Sequence, residues 1–269
     1  MRRSRMLAIG VTVPALGLAV AATGTAIPAQ AAPAVHYVAL GDSYSSGVGA
    51  GDTSGSCAQS PNAYPALWAK AHSPTSFTFA ACSGATTSDV INGQLSSLSD
   101  STTLVSITIG GNDAGFAHIM ETCVLDSTSS CESAIAAAEK YANDTLPGLL
   151  NTTLADIHTR APNAKVVVSD YPEFYDLGAW LCLGLSSADH QALDNGIGDL
   201  DGVLQTAAAK DGDTFADVRS QFSHHELCSG SDWLHAITVP IDDSYHPNAD
   251  GQKDGYLPPF TAAAASVGQ

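Results

Sequence analysis

Short apolar runs alternate with helical patterns along most of the chain. Five apolar or β-branched runs predict strands, at residues 35–40, 77–81, 104–109, 165–169 and 214–217. Three longer patterns predict helices, at residues 63–71, 187–209 and 131 to about 157, the last with a break near Pro147. Continuous apolar strands separated by helices indicate a parallel sheet covered on both faces. The sequence therefore predicts an α/β fold.

The first 31 residues follow a different pattern. Arg2, Arg3 and Arg5 precede an apolar run from residue 6 to about residue 22, and Ala29-Gln30-Ala31 follows. This order of basic, apolar and small residues predicts a signal peptide over 1–31. A transmembrane anchor is the alternative, but Thr and Gly interrupt the run and no stop-transfer charges follow it. We expect a secreted, extracellular protein without stable membrane insertion.

The remaining 238 residues, 32–269, are predicted to form a single domain. They contain no internal repeat and no Pro/Ser-rich linker. Two stretches rich in Gly, Ser and Thr, residues 41–56 and 83–103, lie between apolar segments and are predicted to be functional loops.

The charge excludes some partners. The whole chain carries a net charge of −17, which becomes −20 when the three arginines of the signal leave. Such a protein repels phosphate backbones and gains nothing from an anionic membrane surface. We expect a monomer that does not bind nucleic acid.

Six cysteines lie in the mature region, and an even number in an exported chain indicates three disulfides. Fifteen pairings are possible for six cysteines, and the sequence alone does not choose between them. Sequential pairing is our prediction: Cys57–Cys82, Cys123–Cys131 and Cys182–Cys228. A zinc site is the alternative, but the chain has no C-x-x-C pair to favour it.

Polar clusters follow three of the predicted strands. Residues 41–45 come after the first strand, 82–86 after the second and 110–113 after the third, while a fourth cluster lies at 242–248. Ligands of parallel sheets bind beyond the carboxyl ends of the strands. Each cluster alone is a weak signal, but together they predict an active site at this edge.

The residue types in these clusters suit acyl transfer. A serine hydroxyl such as that of Ser43 needs a base, and His246 would take its proton and then protonate the leaving alkoxide. The oxyanion needs preorganised donors. Candidates are the backbone N–H groups of Ser43 and Gly84 and the side-chain amide of Asn112. This mechanism requires no metal or cofactor.

These clusters resemble those of the GDSL/SGNH hydrolase family. The motifs "GDSYSSG", "GGND" and "DSYHPN" match in the family's order, and the resemblance spans residues from about 35 to 260. The leader and six cysteines are similar to those of its extracellular actinobacterial lipases and phospholipases A1. The resemblance implies a flavodoxin-like three-layer α/β/α sandwich with a central parallel sheet. It also implies a surface cleft or groove for the acyl group and Ser43, Gly84, Asn112 and His246 as site residues. Tyr44 departs from the Leu in the family's name.

The group that orients His246 has two candidates. Asp243 lies three residues before His246, which matches the family's D-x-x-H spacing. Some secreted relatives instead use a backbone carbonyl, which here would belong to Ser244.

Other polar residues receive structural interpretations. Asp42 is predicted to hydrogen-bond within its turn, and Asp113 to support the loop around Asn112. The adjacent residues 224–226, His-His-Glu, are predicted to form a solvated loop, because neighbouring histidines do not share a face as metal ligands do.

The predicted function is a secreted carboxylic-ester hydrolase that forms an acyl-enzyme on Ser43 and acts on lipid or other acyl esters. Triacylglycerol, phospholipid and simple aryl esters remain open as substrates. The alternatives are a carbohydrate acetyl esterase with the same machinery and, more remotely, a non-catalytic binding protein. The apolar stretch 171–185 is predicted to be core, with an acyl groove as its alternative.

Overall fold

Five parallel strands form one sheet in the computed structural model, which describes Gly10 and residues 34–269. The predicted signal peptide lies outside the described residues, apart from Gly10. The strands have the spatial order β2-β1-β3-β4-β5, and every neighbouring pair is parallel. Their bounds are β1 His36–Gly41, β2 Ser76–Phe79, β3 Leu104–Thr108, β4 Lys165–Ser169 and β5 Thr214–Ala216.

The position of each strand in the sheet explains its sequence. All five residues of the central strand β3 are buried, as its continuous apolar character predicts. The edge strand β2 instead alternates between exposed and half-buried residues, because one of its sides has no neighbouring strand.

Nine helices accompany the sheet within residues 34–269. Their bounds are α1 Ser43–Ser46, α2 Tyr64–His72, α3 Thr87–Asn92, α4 Phe116–Leu125, α5 Thr128–Asp144, α6 Leu146–Arg160, α7 Ser187–Asp211, α8 Arg219–Phe222 and α9 Leu257–Ser266. The long pattern predicted over 131–157 is divided between α5 and α6. The break falls at Thr145, and Pro147 then occupies the first turn of α6, where a missing N–H costs no helical hydrogen bond.

The helices form two groups around the sheet. Helices α2 and α9 pack together, and α9 also packs on β4 and β5. Helices α5, α6 and α7 pack together as a second group, with α7 on β4 and β5 and α4 on α5. The chain thus has the predicted flavodoxin-like α/β/α architecture.

Two stretches predicted as loops contain helices. Residues 41–56 include α1, and residues 83–103 include α3 and a 3₁₀ turn, Gln94–Ser97. These segments are too short and polar to show a helical period. Local hydrogen bonds define them instead: Thr86 and Asp89 form a capping box at the start of α3.

The six cysteines form the three sequential pairs. Cys57–Cys82 joins the loop after α1 to the segment after β2, and Cys123–Cys131 joins α4 to α5. Cys182–Cys228 joins the segment before α7 to the one after α8. In the described part of the chain, no helix combines the length and the apolar character needed to cross a bilayer.

Candidate active site

The carboxyl ends of β1, β2 and β3 bring the three predicted clusters to one edge of the sheet. Ser43 lies two residues beyond β1, while Gly84 and Asn112 lie in the turns that follow β2 and β3. His246 comes from the C-terminal segment between α8 and α9.

Gly41 allows the tight turn that presents Ser43. Its φ is +121°, and a Cβ at this position would lie 2.5 Å from the carbonyl oxygen of Thr108. The buried side chain of Gln94 fixes the same residue, since it accepts from the Gly41 N–H and donates to its carbonyl, each at 2.8 Å. Only glycine fits here, so the motif's first residue is set by backbone geometry.

The imidazole of His246 lies between two oxygens. Its Nε2 is 2.7 Å from Ser43 Oγ, and its Nδ1 is 3.0 Å from the carbonyl oxygen of Ser244. A carbonyl only accepts hydrogen bonds, so Nδ1 carries the proton and Nε2 is left to accept from the serine hydroxyl.

Asp243 does not contact His246 through its side chain. Within residues 34–269 its carboxylate makes no hydrogen bond to the imidazole, and only its backbone carbonyl accepts from the His246 N–H, at 3.2 Å. Asp243 ends a 3₁₀ turn, Ile241–Asp243, and its N–H donates to Pro240. This turn gives the position beside Nδ1 to the Ser244 carbonyl, so of the two candidate orienting groups the structure brings only that one into place.

Burial keeps the His246 imidazole neutral. It lowers the pKa of His246 to about 4, against the opposing effects of the Ser244 carbonyl and the nearby Asp243 charge. At neutral pH the ring can therefore accept a proton.

Two of the three candidate oxyanion donors, Gly84 and Asn112, lie on turns that are hydrogen-bonded to each other. The Asn112 side-chain amide donates to the Ala85 carbonyl at 3.0 Å. The Asp113 carboxylate accepts from both the N–H and the hydroxyl of Thr87, at 3.0 and 2.6 Å. Asp113 thus supports this loop, as the sequence predicts.

Two backbone donors remain available at this edge. In the part of the chain that the structure describes, neither the Ser43 N–H nor the Gly84 N–H donates an internal hydrogen bond. Gly84 has φ +77°, and no neighbouring atom would meet a Cβ there. Glycine is needed at this position for its conformation, because the turn requires a left-handed residue.

Asp42 and Tyr171 connect the Ser43 turn to the loop after β3. Tyr171 Oη donates to Asp42 Oδ2 at 2.5 Å and accepts from the Gly111 N–H at 3.1 Å. Asp42 also caps α1 by accepting from the Tyr44 N–H. Burial raises the pKa of the Asp42 carboxyl to about 7, against the hydrogen bonds from Tyr171 and Tyr44. The hydrogen-bonding role predicted for Asp42 is present, but sequence reasoning missed Tyr171 because no motif surrounds it.

Tyr44 connects the Ser43 helix to the His246 segment. Its hydroxyl donates to the Tyr245 carbonyl at 2.6 Å, and its ring centre is 5.0 Å from that of His246. The buried side chain of Gln252 donates to the Tyr44 carbonyl at 3.0 Å. The residue that departs from the family's Leu therefore has a specific contact here.

An apolar cavity opens beside Ser43 and extends between helices. Ser43, Asn112 and Tyr171 line its polar part. Its apolar wall is contributed by α4, α5, α7 and the segment after β4, and includes Phe116, Met120, Ile135, Ala142, Phe174 and Ile197. The resemblance implied a surface cleft or groove, whereas this space runs between packed helices.

The apolar stretch 171–185 is divided by its surroundings. Tyr171 and Phe174 are buried and line the cavity. Leu177, Trp180 and Leu183 are exposed instead. The prediction that the whole stretch is core is therefore wrong for its second half, because the Cys182–Cys228 disulfide holds a loop on the surface there.

The predicted solvated loop, residues 224–226, is partly packed. The His225 ring stacks on Trp233 with centres 3.6 Å apart, and its Nδ1 lies 2.8 Å from the Ser231 carbonyl oxygen. These contacts use the histidine in loop packing.

A serine hydroxyl hydrogen-bonded to a neutral imidazole is the arrangement used by serine hydrolases. In this protein the serine and the imidazole lie at the edge of a flavodoxin-like sheet. The sequence around Ser43 does not have the G-x-S-x-G motif of the α/β-hydrolases. Comparison with known proteins identifies the family of serine hydrolases to which this chain belongs. Residues 39–253 match the GDSL-like Lipase/Acylhydrolase family. The chain belongs to this family, and it is an enzyme that acts on carboxylic ester bonds.

Individual relatives cover nearly the whole chain. Lipase 1 of Streptomyces coelicolor is 54% identical over 98% of this chain and 100% of its own length. The structure of phospholipase A1 from Streptomyces albidoflavus is 49% identical, with a TM-score of 0.84, over 86% of this chain and 100% of that one. The extracellular lipase of Streptomyces rimosus has the same TM-score and coverage, at 51% identity.

Proposed function

We propose that this enzyme is a secreted lipase or phospholipase that cleaves fatty-acyl esters through an acyl-enzyme on Ser43, with His246 as general base. The observation that carries the proposal is the 2.7 Å contact between His246 Nε2 and Ser43 Oγ. The Ser244 carbonyl on Nδ1 selects the tautomer that this role needs.

Acylation follows from these contacts. Ser43 Oγ attacks the ester carbonyl carbon while its proton passes to His246 Nε2. The carbonyl oxygen becomes an oxyanion, for which the Ser43 N–H, the Gly84 N–H and the Asn112 amide are the donors. The imidazolium then gives its proton to the leaving alkoxide, and the acyl group remains on Ser43.

Deacylation repeats the sequence with water as the nucleophile. His246 takes a proton from the water as it attacks the acyl carbon, and returns that proton to Ser43 Oγ when the carboxylic acid leaves. The Ser244 carbonyl hydrogen-bonds Nδ1–H throughout and orients the ring without itself being charged.

The cavity favours a long acyl chain. Its wall beyond Ser43 is apolar and comes from several helices, so it can contact the methylene groups of an acyl chain. An acetyl group would reach only the part of this wall nearest to Ser43. The names of the relatives, lipase and phospholipase A1, agree with a fatty-acyl substrate. A carbohydrate esterase structure at 20% identity shares the fold alone.

The proposed secretion rests on two features of the chain. Its first 31 residues have the order of a signal peptide, and its six cysteines form three disulfides. A relative described as an extracellular lipase supports the same location.

The test is an acyl-chain panel with the mature enzyme, residues 32–269, and its Ser43→Ala variant. We expect aryl esters of eight to sixteen carbons to be hydrolysed faster than acetate, because the cavity wall beyond Ser43 is apolar. Ser43→Ala should lower kcat by at least about 10⁴-fold. Turnover of acetyl esters alone would favour the carbohydrate esterase, and unchanged turnover by Ser43→Ala would reject the mechanism.

A further inference from the structure

The large apolar side chains that the described chain exposes are confined to three segments. The first is the end of α4, with Val124 and Leu125. The second, residues 177–183, exposes Leu177, Trp180, Leu181 and Leu183, with Trp180 94% and Leu183 82% exposed. The third, residues 237–241, exposes Ile237, Ile241 and Val239, the last 93% exposed. We call these three segments the apolar rim. Large apolar groups concentrated in this way mark an interaction surface, whereas scattered ones do not.

The first two segments of the rim are neighbours. Thr128, at the start of α5, lies three residues beyond Leu125, and Ser186 lies three residues beyond Leu183. The Thr128 hydroxyl is 3.4 Å from the Ser186 hydroxyl and donates to Asp189 Oδ2 at 3.1 Å. These contacts bring the end of α4 to the second segment.

A contact between two tyrosines connects the start of the second segment with the end of the third. Tyr175 stands two residues before Leu177, and Tyr245 stands four residues after Ile241. Their hydroxyl oxygens are 3.0 Å apart, and the ring centres of Phe174 and Tyr245 are 5.5 Å apart. One end of each segment therefore lies close to the contact between Tyr175 and Tyr245.

That place adjoins the catalytic pair and the cavity. The first residue of α4, Phe116, has its ring centre 6.3 Å from that of His246 and 5.8 Å from that of Phe174. Phe116 and Phe174 line the cavity. The first turn of α4 thus lies at the cavity, and its last turn carries the first segment of the rim.

A disulfide and a backbone hydrogen bond hold the second segment at the surface. Cys182 is bonded to Cys228, and the neighbouring Leu227 carbonyl accepts from the Asp176 N–H at 3.0 Å. In this loop the Trp180 side chain is exposed and available to a partner.

The acidic residues that flank the rim indicate which kind of surface it can bind. Residues 177–185 and 237–241 contain no charged side chain, and the acids Asp126, Asp176, Asp242 and Asp243 flank the three segments. The whole chain has 10 Lys and Arg against 27 Asp and Glu. An anionic surface would repel this face, whereas a lipid surface without net charge would accept its apolar side chains and a Trp at the headgroup level.

We propose that the apolar rim docks the enzyme on the surface of an aggregated zwitterionic lipid, so that the mouth of the cavity faces the acyl chains. The inference rests on the proposed function, because it takes the lipid to be the substrate or its carrier. The partner is a lipid surface that the rim enters only superficially, as apolar side chains of a soluble domain do.

The binding test uses Ser43→Ala protein, which leaves the lipid intact, with phosphatidylcholine vesicles. We expect co-sedimentation and a blue shift of Trp fluorescence that is lost in Trp180→Phe, since Trp68 is buried and Trp233 is half-buried. Added to Ser43→Ala, the triple change Trp180→Ser, Leu183→Ser and Val239→Ser should weaken partitioning at least tenfold. The matched triple Trp180→Leu, Leu183→Ile and Val239→Leu should retain it, and vesicles containing phosphatidylserine should bind less protein.

The activity test uses the same two triple variants with Ser43 intact. The serine triple should hydrolyse a soluble short-chain ester within twofold of wild type, but phosphatidylcholine vesicles at least tenfold more slowly. Absence of vesicle binding by Ser43→Ala, equal binding by the serine triple, or an equal loss on both substrates would overturn the docking surface. None of these results touches the proposed function, which is tested separately by the acyl-chain panel and by Ser43→Ala on soluble esters.

Discussion

At the scale of single residues, the site depends on how a neutral imidazole is oriented. The Ser244 carbonyl lies 3.0 Å from His246 Nδ1, and the Asp243 carboxylate makes no hydrogen bond to the ring. A carbonyl dipole stabilises the imidazolium less than a carboxylate would, but it fixes the same tautomer. The catalytic unit we propose is therefore a Ser43–His246 pair with a backbone acceptor.

Asp243→Asn tests this assignment. The backbone carbonyl stays in place, so we expect kcat to fall by less than about tenfold. A carboxylate that orients a catalytic histidine contributes about 10⁴-fold when it is replaced by its amide. A loss of 10³-fold or more, measured with a soluble ester, would restore Asp243 as the third member of a triad.

The buried His246 also predicts an acid-tolerant enzyme. Burial lowers its pKa to about 4, so the imidazole of the free enzyme stays neutral well below pH 6.5. The acid limb of the pH profile of kcat/KM should therefore bend near pH 4. A bend near pH 6.5, the ordinary value for histidine, would show that the ring is not desolvated in the working enzyme.

Tyr44→Phe removes the bond between the Ser43 helix and the His246 segment. The change leaves the Tyr245 carbonyl without its 2.6 Å donor, at a cost of about 1–3 kcal/mol. We expect a roughly tenfold lower kcat on soluble esters. Tyr175→Phe is the matched control, because it removes a hydroxyl that contacts the Tyr245 hydroxyl instead. Equal losses in both variants would argue against a specific role for Tyr44.

At the scale of elements, the sequence predicts the strands and helices that have a regular pattern of apolar residues. It misses features that depend on local hydrogen bonds or on contacts made by the fold. All five strands and the three longer helical patterns are recognisable. Burial imposes apolar runs on the central strands β1, β3 and β4. Helices α1 and α3 depend on side-chain caps in short polar segments, which show no helical period. Helix α4 is apolar but has no side-chain cap, and it is not among the predicted helices. The site shows the same division. Motifs identify Ser43 and His246, whereas the Tyr171 bridge exists only because the fold brings β4 beside β3.

The helices around the cavity should set the preferred acyl length. Ala142 on α5 is buried and lines the cavity. Ala142→Leu would add about three carbon atoms to this wall and shorten the space for a chain. We expect the ratio of kcat/KM for sixteen-carbon over four-carbon esters to fall at least tenfold. Ala137→Leu on the exposed side of α5 is the matched control. An unchanged ratio in Ala142→Leu would exclude this cavity as the acyl site.

At the scale of the whole molecule, buried carboxyls make stability depend on pH. Burial raises the pKa of Asp42 and Asp194 to about 7 and that of Asp170 to about 8. A raised folded-state pKa means that the folded protein holds protons which the unfolded chain has already lost. The resulting stabilisation is present at low pH and disappears as pH rises through 7 to 8.

The melting temperature should therefore fall between pH 6.5 and pH 9. In this window the lowered pKa of His246 acts in the opposite direction, by less than about 0.5 kcal/mol, because the unfolded ring is half protonated at pH 6.5 and neutral at pH 9. Each of the three carboxyls should contribute on the order of 1 kcal/mol to the loss. Asp194→Asn keeps an acceptor for the Phe174 N–H and should flatten the slope. A melting temperature that rises across this window would contradict the buried, protonated state.

The central claim is that Ser43 carries the acyl group. The most direct measurement is mass spectrometry of the mature protein after acid quenching of its reaction with an eight-carbon aryl ester. The account predicts an octanoyl adduct on the peptide that contains Ser43, absent in Ser43→Ala and accumulating too slowly to detect in His246→Ala. An adduct on another residue, or Ser43→Ala protein that still turns over the ester without any adduct, would contradict it.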